Sequence, residues 1–364
     1  MKEFYNYLKI VKENSQQYFA LGTVIAVYGS AYRHKGAKML FSETGVQYGM
    51  ISGGCLEEDL KGHADEVIAT KKAKKVMYDL RSEDDLGWGQ GAGCNGKIEV
   101  YLEPINWFDQ DENGQFLWPT ALSILNKGES IISVREVTEK NLGLRFLFTK
   151  EGEGILNTNS IIGEQHMQKN VMEFLGNNEL LEYRENDISH RSFIFEHVEA
   201  EDTLYIFGAG PDVEPIVQRC SEFHFSPIVI DPSQSRCSPK YFPKAKELVC
   251  EHPETYLTKS KIKKDSYVLI MTHSFMKDRV ILKHFIHERP SYLGVLGPKL
   301  RSERLLNPSP LPDWVHSPVG VNIYAEGADE ISISILGQLI QVRNERRKRK
   351  RSVTFFKHST ITNY

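Results

Sequence analysis

The sequence contains few cysteines and no long apolar run, and each lack excludes a class of protein. Among 364 residues there are five cysteines, with no CxxC pair and no Cys/His cluster at zinc-finger spacing. Neither a disulfide scaffold nor a structural zinc site is therefore expected. No window approaches about 18 uninterrupted apolar residues, and the first residues lack the apolar core of a signal peptide. We expect a cytoplasmic protein without a membrane segment.

A strong excess of one charge is also missing. The 45 lysines and arginines nearly balance the 48 aspartates and glutamates, which leaves a net charge of -3. A protein whose main partner is a nucleic acid normally carries a clear basic excess, so no nucleic-acid partner is expected. At roughly 150 residues per domain, the length predicts two domains.

The hydrophobic pattern changes near residue 200, where the acidic run EHVEAED has no apolar face. Residues 1–199 predict an α+β domain with a small mixed sheet, including a less regular middle segment, 105–199. Residues 200–345 alternate short apolar strands with amphipathic helices, which indicates a Rossmann-like parallel sheet. Residues 346–364 open with the basic run RRKRKR and are interpreted as a solvated tail beyond a helix end, with RNA or membrane contact as the alternative.

A glycine turn opens the second domain. Gly208 and Gly210 follow the strand LYIF and precede a helix, an arrangement that favours phosphate. Asp231 ends the next strand, about 20 residues on, where its carboxylate would accept hydrogen bonds from a ribose. Val213 replaces the third glycine of the dinucleotide pattern, so Gly208 and Gly210 also fit a plain strand-to-helix turn. His273 follows a further strand. Its side chain is interpreted either as a ligand contact or as a hydrogen-bonded structural group.

The first cysteine loop, residues 52–55, places Gly53 and Gly54 directly before Cys55 at the start of a predicted helix. A helix N-terminus stabilises a thiolate, which would make Cys55 a soft ligand or a sulfur carrier. Glu57 and its acidic neighbours put negative charge nearby, which opposes that effect. An inert, half-buried thiol is the alternative.

The second cysteine loop, residues 87–96, has glycine at every second position up to Gly91 and Gly93, followed by Cys94. Such spacing suits close approach of the backbone to a ligand, and a flexible connector is the alternative. Two thiols would suit a soft metal or a sulfur species if the fold brings Cys55 and Cys94 together.

Eight segments, taken together, resemble the xanthine dehydrogenase accessory factor family, XdhC/CoxI-like. The resemblance covers roughly residues 15–105 and 200–345. The segments are GSAYRHKGAKM, SGGCLEE, GAGCNGKIEVYLEP, IFGAGPDVEP, VIDP, MTHSFMKD, YLGVLGPKLRSERLL and VHSPVGVNIYAEGADEISISILGQLIQVRN.

The resemblance implies a factor that binds molybdenum cofactor (molybdopterin), assists replacement of an oxo ligand by sulfur, and delivers the cofactor to a molybdenum hydroxylase of the xanthine dehydrogenase type. A cysteine desulfurase would be a second partner. Cys55 and Cys94 match the motif cysteines, as prospective ligands of the molybdenum across an interdomain cleft. Gly208, Gly210 and Asp231 match the nucleotide-type turn.

Two positions depart from the pattern, and other functions remain open. Pro211 stands where many relatives have histidine, and Asn95 where many have glycine. The competing hypotheses are an NAD(P)-binding oxidoreductase that uses the glycine turn, and an interaction protein whose thiols do no chemistry. A homodimer is expected if the amphipathic first helix packs against a second copy.

Overall fold

A computed structural model describes residues 3–54, 56–80, 96–111, 114–139, 143–156, 164–177, 179–186 and 191–359. The chain divides into two compact units: unit 1 comprises Met1–Ala200 with Thr354–Tyr364, and unit 2 comprises Glu201–Val353. Within the described ranges, no helix combines the length and the apolar character needed to cross a membrane.

The first half of unit 1 is a five-stranded antiparallel sheet. Its strand order is β3-β2-β1-β5-β4. The turn between β2 and β3 contains Gly45 at φ +82°, a conformation that suits a hairpin turn. The elements are α1 (Glu3–Glu13), β1 (Phe19–Gly29), β2 (Lys38–Ser42), β3 (Gln47–Gly49), α2 (Glu57–Thr70), β4 (Lys74–Asp79) and β5 (Gly96–Ile105).

The middle segment forms a second antiparallel sheet of five strands in the same unit, in the order β8-β7-β6-β10-β9. The α+β class is confirmed, but two antiparallel sheets stand where the sequence suggested one small mixed sheet. Hairpin-length connections between successive strands account for the antiparallel pairing. The elements are α3 (Leu117–Asn126), β6 (Ile131–Val137), β7 (Arg145–Thr149), β8 (Gly154–Leu156), α4 (Glu164–Gly176), β9 (Leu181–Asn186) and β10 (Arg191–Val198).

The apolar face of α1 is buried inside unit 1. Phe4 is fully buried and meets Trp118 of α3 edge to face, with ring centroids 5.6 Å apart. Leu8 and Val11 belong to the same core cluster. This helix face is therefore already covered by its own chain, and the surface on which we based a homodimer is not free for a second copy.

A chain of buried ion pairs joins the two sheets of unit 1. Lys38 Nζ lies 2.7 Å from Glu196 Oε1, and Arg135 pairs with Glu196 at 2.8 Å. Arg135 also pairs with Glu103, which Arg145 contacts at 3.1 Å. Burial raises the pKa of Glu196, but the charges of Lys38 and Arg135 outweigh burial and hold that pKa below its usual value. The carboxylate therefore stays ionised in the core.

Unit 2 is a Rossmann-like domain with a parallel sheet in the order β13-β12-β11-β14-β15. Most strand residues are buried, because helices cover a parallel sheet on both faces. The elements are β11 (Asp202–Phe207), α5 (Glu214–Cys220), β12 (Phe225–Ile230), β13 (Glu247–Val249), α6 (Pro253–Lys259), β14 (Tyr267–Ile270), α7 (Phe275–Glu288), β15 (Tyr292–Val295), α8 (Lys299–Leu306) and α9 (Gly327–Ser359).

The last helix differs from the expectation of a basic tail beyond a helix end. α9 continues through the run RRKRKR to Ser359 instead of ending before it. Lysine and arginine are good helix formers, and their charges are favourable toward a helix C-terminus, so the basic run can extend the helix.

Candidate functional site

The glycine turn of unit 2 lies at the carboxyl ends of the central strands. Gly208 N donates to Ile230 O at 2.9 Å, and Met271 N donates to Phe207 O at 2.8 Å. Gly208 has φ +123°, and a Cβ there would lie 2.2 Å from Met271 O. Only glycine fits this position, because both the backbone conformation and the neighbouring strand exclude a side chain. Packing alone therefore requires glycine at position 208.

Asp231 ends β12 beside this turn, as the sequence predicted, but its carboxylate contacts the protein's own backbone. Oδ2 accepts a hydrogen bond from Ala209 N at 3.2 Å, and Oδ1 accepts one from Ser233 N at 2.8 Å. The side chain therefore holds the glycine turn against the loop that follows β12. Both oxygens that would bind a ribose already have a donor.

Asp212 and His273 form a pair at the mouth of the turn. His273 Nε2 and Asp212 Oδ2 are 2.9 Å apart, and the histidine side chain is 59% exposed. His273 has φ +55°, a left-handed conformation that is uncommon outside glycine. A Cβ on Gly210 would lie 2.3 Å from Asp212 Oδ1 and 3.7 Å from His273 Cδ2. The fold thus brings Gly208, Gly210 and His273 to one edge of the sheet.

The charges around the turn do not fit a pyrophosphate. Asp212 lies over Gly210, and Glu214 begins α5 and pairs with Arg236. Arg236 Nε also donates to Ala209 O at 2.9 Å. Asp212 and Glu214 therefore put two carboxylates beside the turn, and Arg236 is already engaged by Glu214 and Ala209. A dinucleotide would place further negative charge there, which these residues oppose.

In unit 1, the carboxylate of Glu57 organises the first cysteine loop. Oε1 accepts hydrogen bonds from Ile51 N at 3.0 Å and Ser52 N at 2.7 Å. Oε2 accepts from the Ser52 hydroxyl, from Gly54 N at 2.9 Å and from Leu56 N at 3.2 Å. The backbone on both sides of position 55 is therefore fixed by one side chain.

This cradle stabilises the ionised carboxylate. Partial burial raises the pKa of Glu57, but the hydrogen bonds from the Ser52 side chain and from the amides of Ser52 and Ile51 outweigh burial and lower the pKa to about 2. Gly53 and Gly54 have φ +86° and +116°, which suits the tight turn around the carboxylate.

Gly53 and Gly96 both lie next to the same short segment, residues 30–32, which follows β1. A Cβ on Gly53 would lie 3.5 Å from the ring of Tyr32. A Cβ on Gly96 would lie 2.4 Å from Ser30 O. Gly53 precedes Cys55 by two residues in the sequence, and Gly96 follows Cys94 by two.

Four predicted site residues lie outside the described residues: Cys55, Gly91, Gly93 and Cys94. Among the residues that are described, no group of three or more His, Cys, Asp or Glu side chains is arranged to hold a metal ion. The prediction that the two thiols contact the molybdenum of a cofactor stays a prediction.

Three side chains that shape these sites were not predicted from the sequence. Glu57 was interpreted only as a charge opposing a thiolate, whereas it binds the loop backbone. Asp212 and Arg236 were not considered. The available signal for Glu57 was a glutamate in the first turn of a predicted helix, because a glutamate there commonly reaches back to backbone amides that precede the helix.

Comparison with protein families agrees with both units. The family model described as XdhC Rossmann domain matches residues 204–339, and the model described as XdhC and CoxI family matches residues 13–79.

Three relatives are similar to the chain. A Bacillus subtilis (strain 168) protein, whose name describes a probable subunit of xanthine dehydrogenase, is 33% identical over 343 residues, covering 94% of this chain and 98% of that protein. A crystal structure described as a xanthine dehydrogenase from Bacillus halodurans has a TM-score of 0.77 and 37% identity, and covers 94% and 96% of the two chains. The uncharacterized protein YqeB of Escherichia coli (strain K12) is 30% identical over 151 residues, which are 39% of this chain and 27% of that protein.

Proposed function

Because the chain belongs to the XdhC and CoxI family, we propose that it is an accessory factor for a molybdenum hydroxylase of the xanthine dehydrogenase type. In this proposal it binds molybdenum cofactor as cargo, receives a cysteine desulfurase while the cofactor is sulfurated, and passes the cofactor to its client. The names of the two relatives that match over most of their length support the client class, since both names include the words xanthine dehydrogenase.

One observation supports a cargo site in unit 1. Gly53 and Gly96, which flank the two cysteine loops, both pack against residues 30–32. Two residues of chain span at most about 7 Å. We infer that the loops carrying Cys55 and Cys94 converge beside this segment, where their thiols present soft ligands to one metal centre.

Glu57 is a positioning residue in this proposal. It fixes Gly54 and Leu56 through 2.9 and 3.2 Å hydrogen bonds, so the backbone that carries the first motif cysteine is preorganised. A site held ready before the cargo arrives avoids the entropic cost of ordering a loop on binding.

In unit 2, the Asp212–His273 pair is our proposed polar contact for a ligand at the carboxyl edge of the parallel sheet. The histidine is exposed and hydrogen-bonded, so a ligand at the carboxyl edge of the sheet would meet it. Since the nearby carboxylates oppose a phosphate, we assign the pair to neutral donor groups of such a ligand instead of an anionic group.

The experiment is anaerobic incubation of the full chain with molybdenum cofactor, followed by gel filtration and analysis of molybdenum and pterin in the protein fraction. Cys55→Ala and Cys94→Ala are compared with wild type. Cys250→Ala is the matched control, because it removes an exposed thiol of unit 2. We expect cargo retention in wild type and in the control, and a loss of at least tenfold in either loop variant.

Retention by both loop variants would refute the thiol ligands, and equal loss in the control would show a nonspecific effect. A second measurement tests the convergence of the loops without any cargo. A short bifunctional thiol reagent should cross-link Cys55 to Cys94 within one chain. Failure to link them, with each thiol labelled singly, would contradict the shared site.

A further inference from the structure

Two cysteines of unit 2 that the proposed function does not use lie side by side. Cys237 belongs to the loop that follows β12 and Asp231, and Cys250 directly follows β13. Cys250 Sγ donates to Cys237 O at 3.2 Å. Cys237 is only 4% exposed, whereas Cys250 is exposed. The pair therefore has one thiol open to solvent and one beneath the surface.

The two thiols differ in reactivity. Burial raises the pKa of Cys237 to about 12, and its hydrogen bond with the Cys250 thiol adds to this effect. The thiolate is the reactive form of cysteine, so buried Cys237 does not react first with a reagent from solution. Cys250 is the thiol that such a reagent meets. Because Cys250 Sγ lies 3.2 Å from the backbone oxygen of Cys237, an adduct formed on Cys250 would lie beside Cys237.

We propose that Cys250 is a thiol-exchange site for low-molecular-weight disulfides, and that Cys237 resolves the adduct into an intramolecular Cys237–Cys250 disulfide. The inference is independent of the cargo function. It needs no metal and no partner protein, only an external disulfide of the glutathione type as the oxidant.

The chemistry balances in two exchanges. The Cys250 thiolate attacks one sulfur of the external disulfide, which forms a mixed disulfide and releases one thiolate. Cys237 then loses its proton to solvent and attacks Cys250 Sγ, which breaks the mixed disulfide and releases the second thiolate. Two protein thiols are oxidised, and one external disulfide is reduced to two thiols. An excess of dithiol reductant reverses both steps.

The loop that would be tied down also supports the glycine turn. Cys237 N donates to Ser233 O at 2.8 Å, and its neighbour Arg236 donates to Ala209 O at 2.9 Å. Asp231, at the start of the same loop, accepts from Ala209 N. A Cys237–Cys250 bond would fasten this loop to the end of β13. Oxidation of the pair would therefore restrict the motion of the glycine turn.

The test treats the reduced full chain with oxidised glutathione under anaerobic conditions and maps its cysteine peptides by mass spectrometry. In wild type we expect a linked Cys237–Cys250 peptide. Cys237→Ser should stop at a stable glutathione adduct on Cys250, and Cys250→Ser should leave Cys237 unmodified. Cys220→Ser is the matched control, because Cys220 is fully buried, and it should behave like wild type.

Other results overturn the proposal. A stable glutathione adduct on Cys250 in wild type would show that Cys237 does not resolve it, and modification of Cys237 in Cys250→Ser would show that entry does not require Cys250. Hydrogen exchange gives the second readout. Amides of residues 209–237 should exchange more slowly in the oxidised wild type than in the reduced protein, with no such difference in Cys250→Ser. Equal exchange would refute the link to the turn.

Discussion

Replacing Glu57 by glutamine should loosen the first cysteine loop and lower the stability of unit 1. Glutamine keeps one acceptor oxygen but puts an amide donor where Oε2 or Oε1 accepts backbone hydrogen bonds. Of the affected donors, Ser52 is 8% exposed and Leu56 is fully buried. An unpaired buried donor costs about 1–3 kcal/mol. We expect Glu57→Gln to lower the free energy of unfolding by about 2 kcal/mol.

The pKa of Glu57 gives a second route to the magnitude. A decrease from 4.5 to about 2 corresponds to roughly 3 kcal/mol for a fully buried group. Because the side chain is partly exposed, solvent screening reduces this figure to about 2 kcal/mol, in agreement with the first value. Both figures describe the same hydrogen bonds to the carboxylate, once as donors left unpaired and once as the preference for the ionised form.

The effect has a defined pH dependence. The folded-state pKa of Glu57 lies below the unfolded value, so its contribution is fully present above the unfolded pKa of 4.5 and is lost as the pH falls toward 2. The difference in stability between wild type and Glu57→Gln should therefore be constant from pH 8 to about 5 and shrink below that. Protonated glutamate and glutamine are then nearly equivalent.

Urea unfolding followed by tryptophan fluorescence measures this difference, because Trp107 and Trp118 both lie in unit 1. Glu58→Gln is the matched control, because it removes the same charge from the next residue, whose side chain is exposed. It should change stability by less than about 0.5 kcal/mol. If Glu58→Gln and Glu57→Gln have equal effects, net charge explains the loss and the cradle does not.

Three further changes test the surrounding structure. Gly208→Ala should destabilise unit 2 by about 2 kcal/mol or more in thermal unfolding, because φ is +123° and Met271 O blocks the Cβ. Gly62→Ala is the control: its Cβ meets nothing within 4 Å in α2, so it should stabilise the protein slightly. Glu196→Gln should cost about 3 kcal/mol in urea unfolding, because it removes the carboxylate paired with Lys38 and one of the two paired with Arg135, and adding Lys38→Met should recover part of that loss. Calorimetric titration with NAD should show no binding at millimolar concentration, and saturable binding would contradict the role given to the turn carboxylates.

Local patterns predicted most of the elements. Alternating strands and helices after residue 200 were sufficient for the Rossmann-like sheet, because a parallel sheet needs a crossover between strands. α3 was missed, although its buried residues Leu117, Trp118, Ala121, Leu122 and Leu125 recur at helical spacing; the segment LWPTALSILN is short and mostly apolar, a composition that fits a buried strand as well.

Long-range polar contacts could not be predicted from local patterns. Lys38 and Glu196 lie far apart in the sequence, and only the packing of two sheets brings their side chains to 2.7 Å. The same holds for Cys237 and Cys250, whose contact depends on β13 lying parallel to β12. No period or motif encodes a pairing of this kind, because it follows from tertiary register.

The glycine turn shows why a motif predicts a fold more securely than a ligand. Gly208 is required by the close approach of Met271 O, whatever the turn binds. Asp231, whose spacing matches a ribose contact, instead accepts hydrogen bonds from Ala209 and Ser233. The part of the pattern that shapes the backbone is therefore satisfied, while the part that would recognise a dinucleotide is used to hold the turn. Ligand specificity at this edge must come from side chains outside the motif. The Asp212–His273 pair lies at this edge, with the His273 side chain exposed.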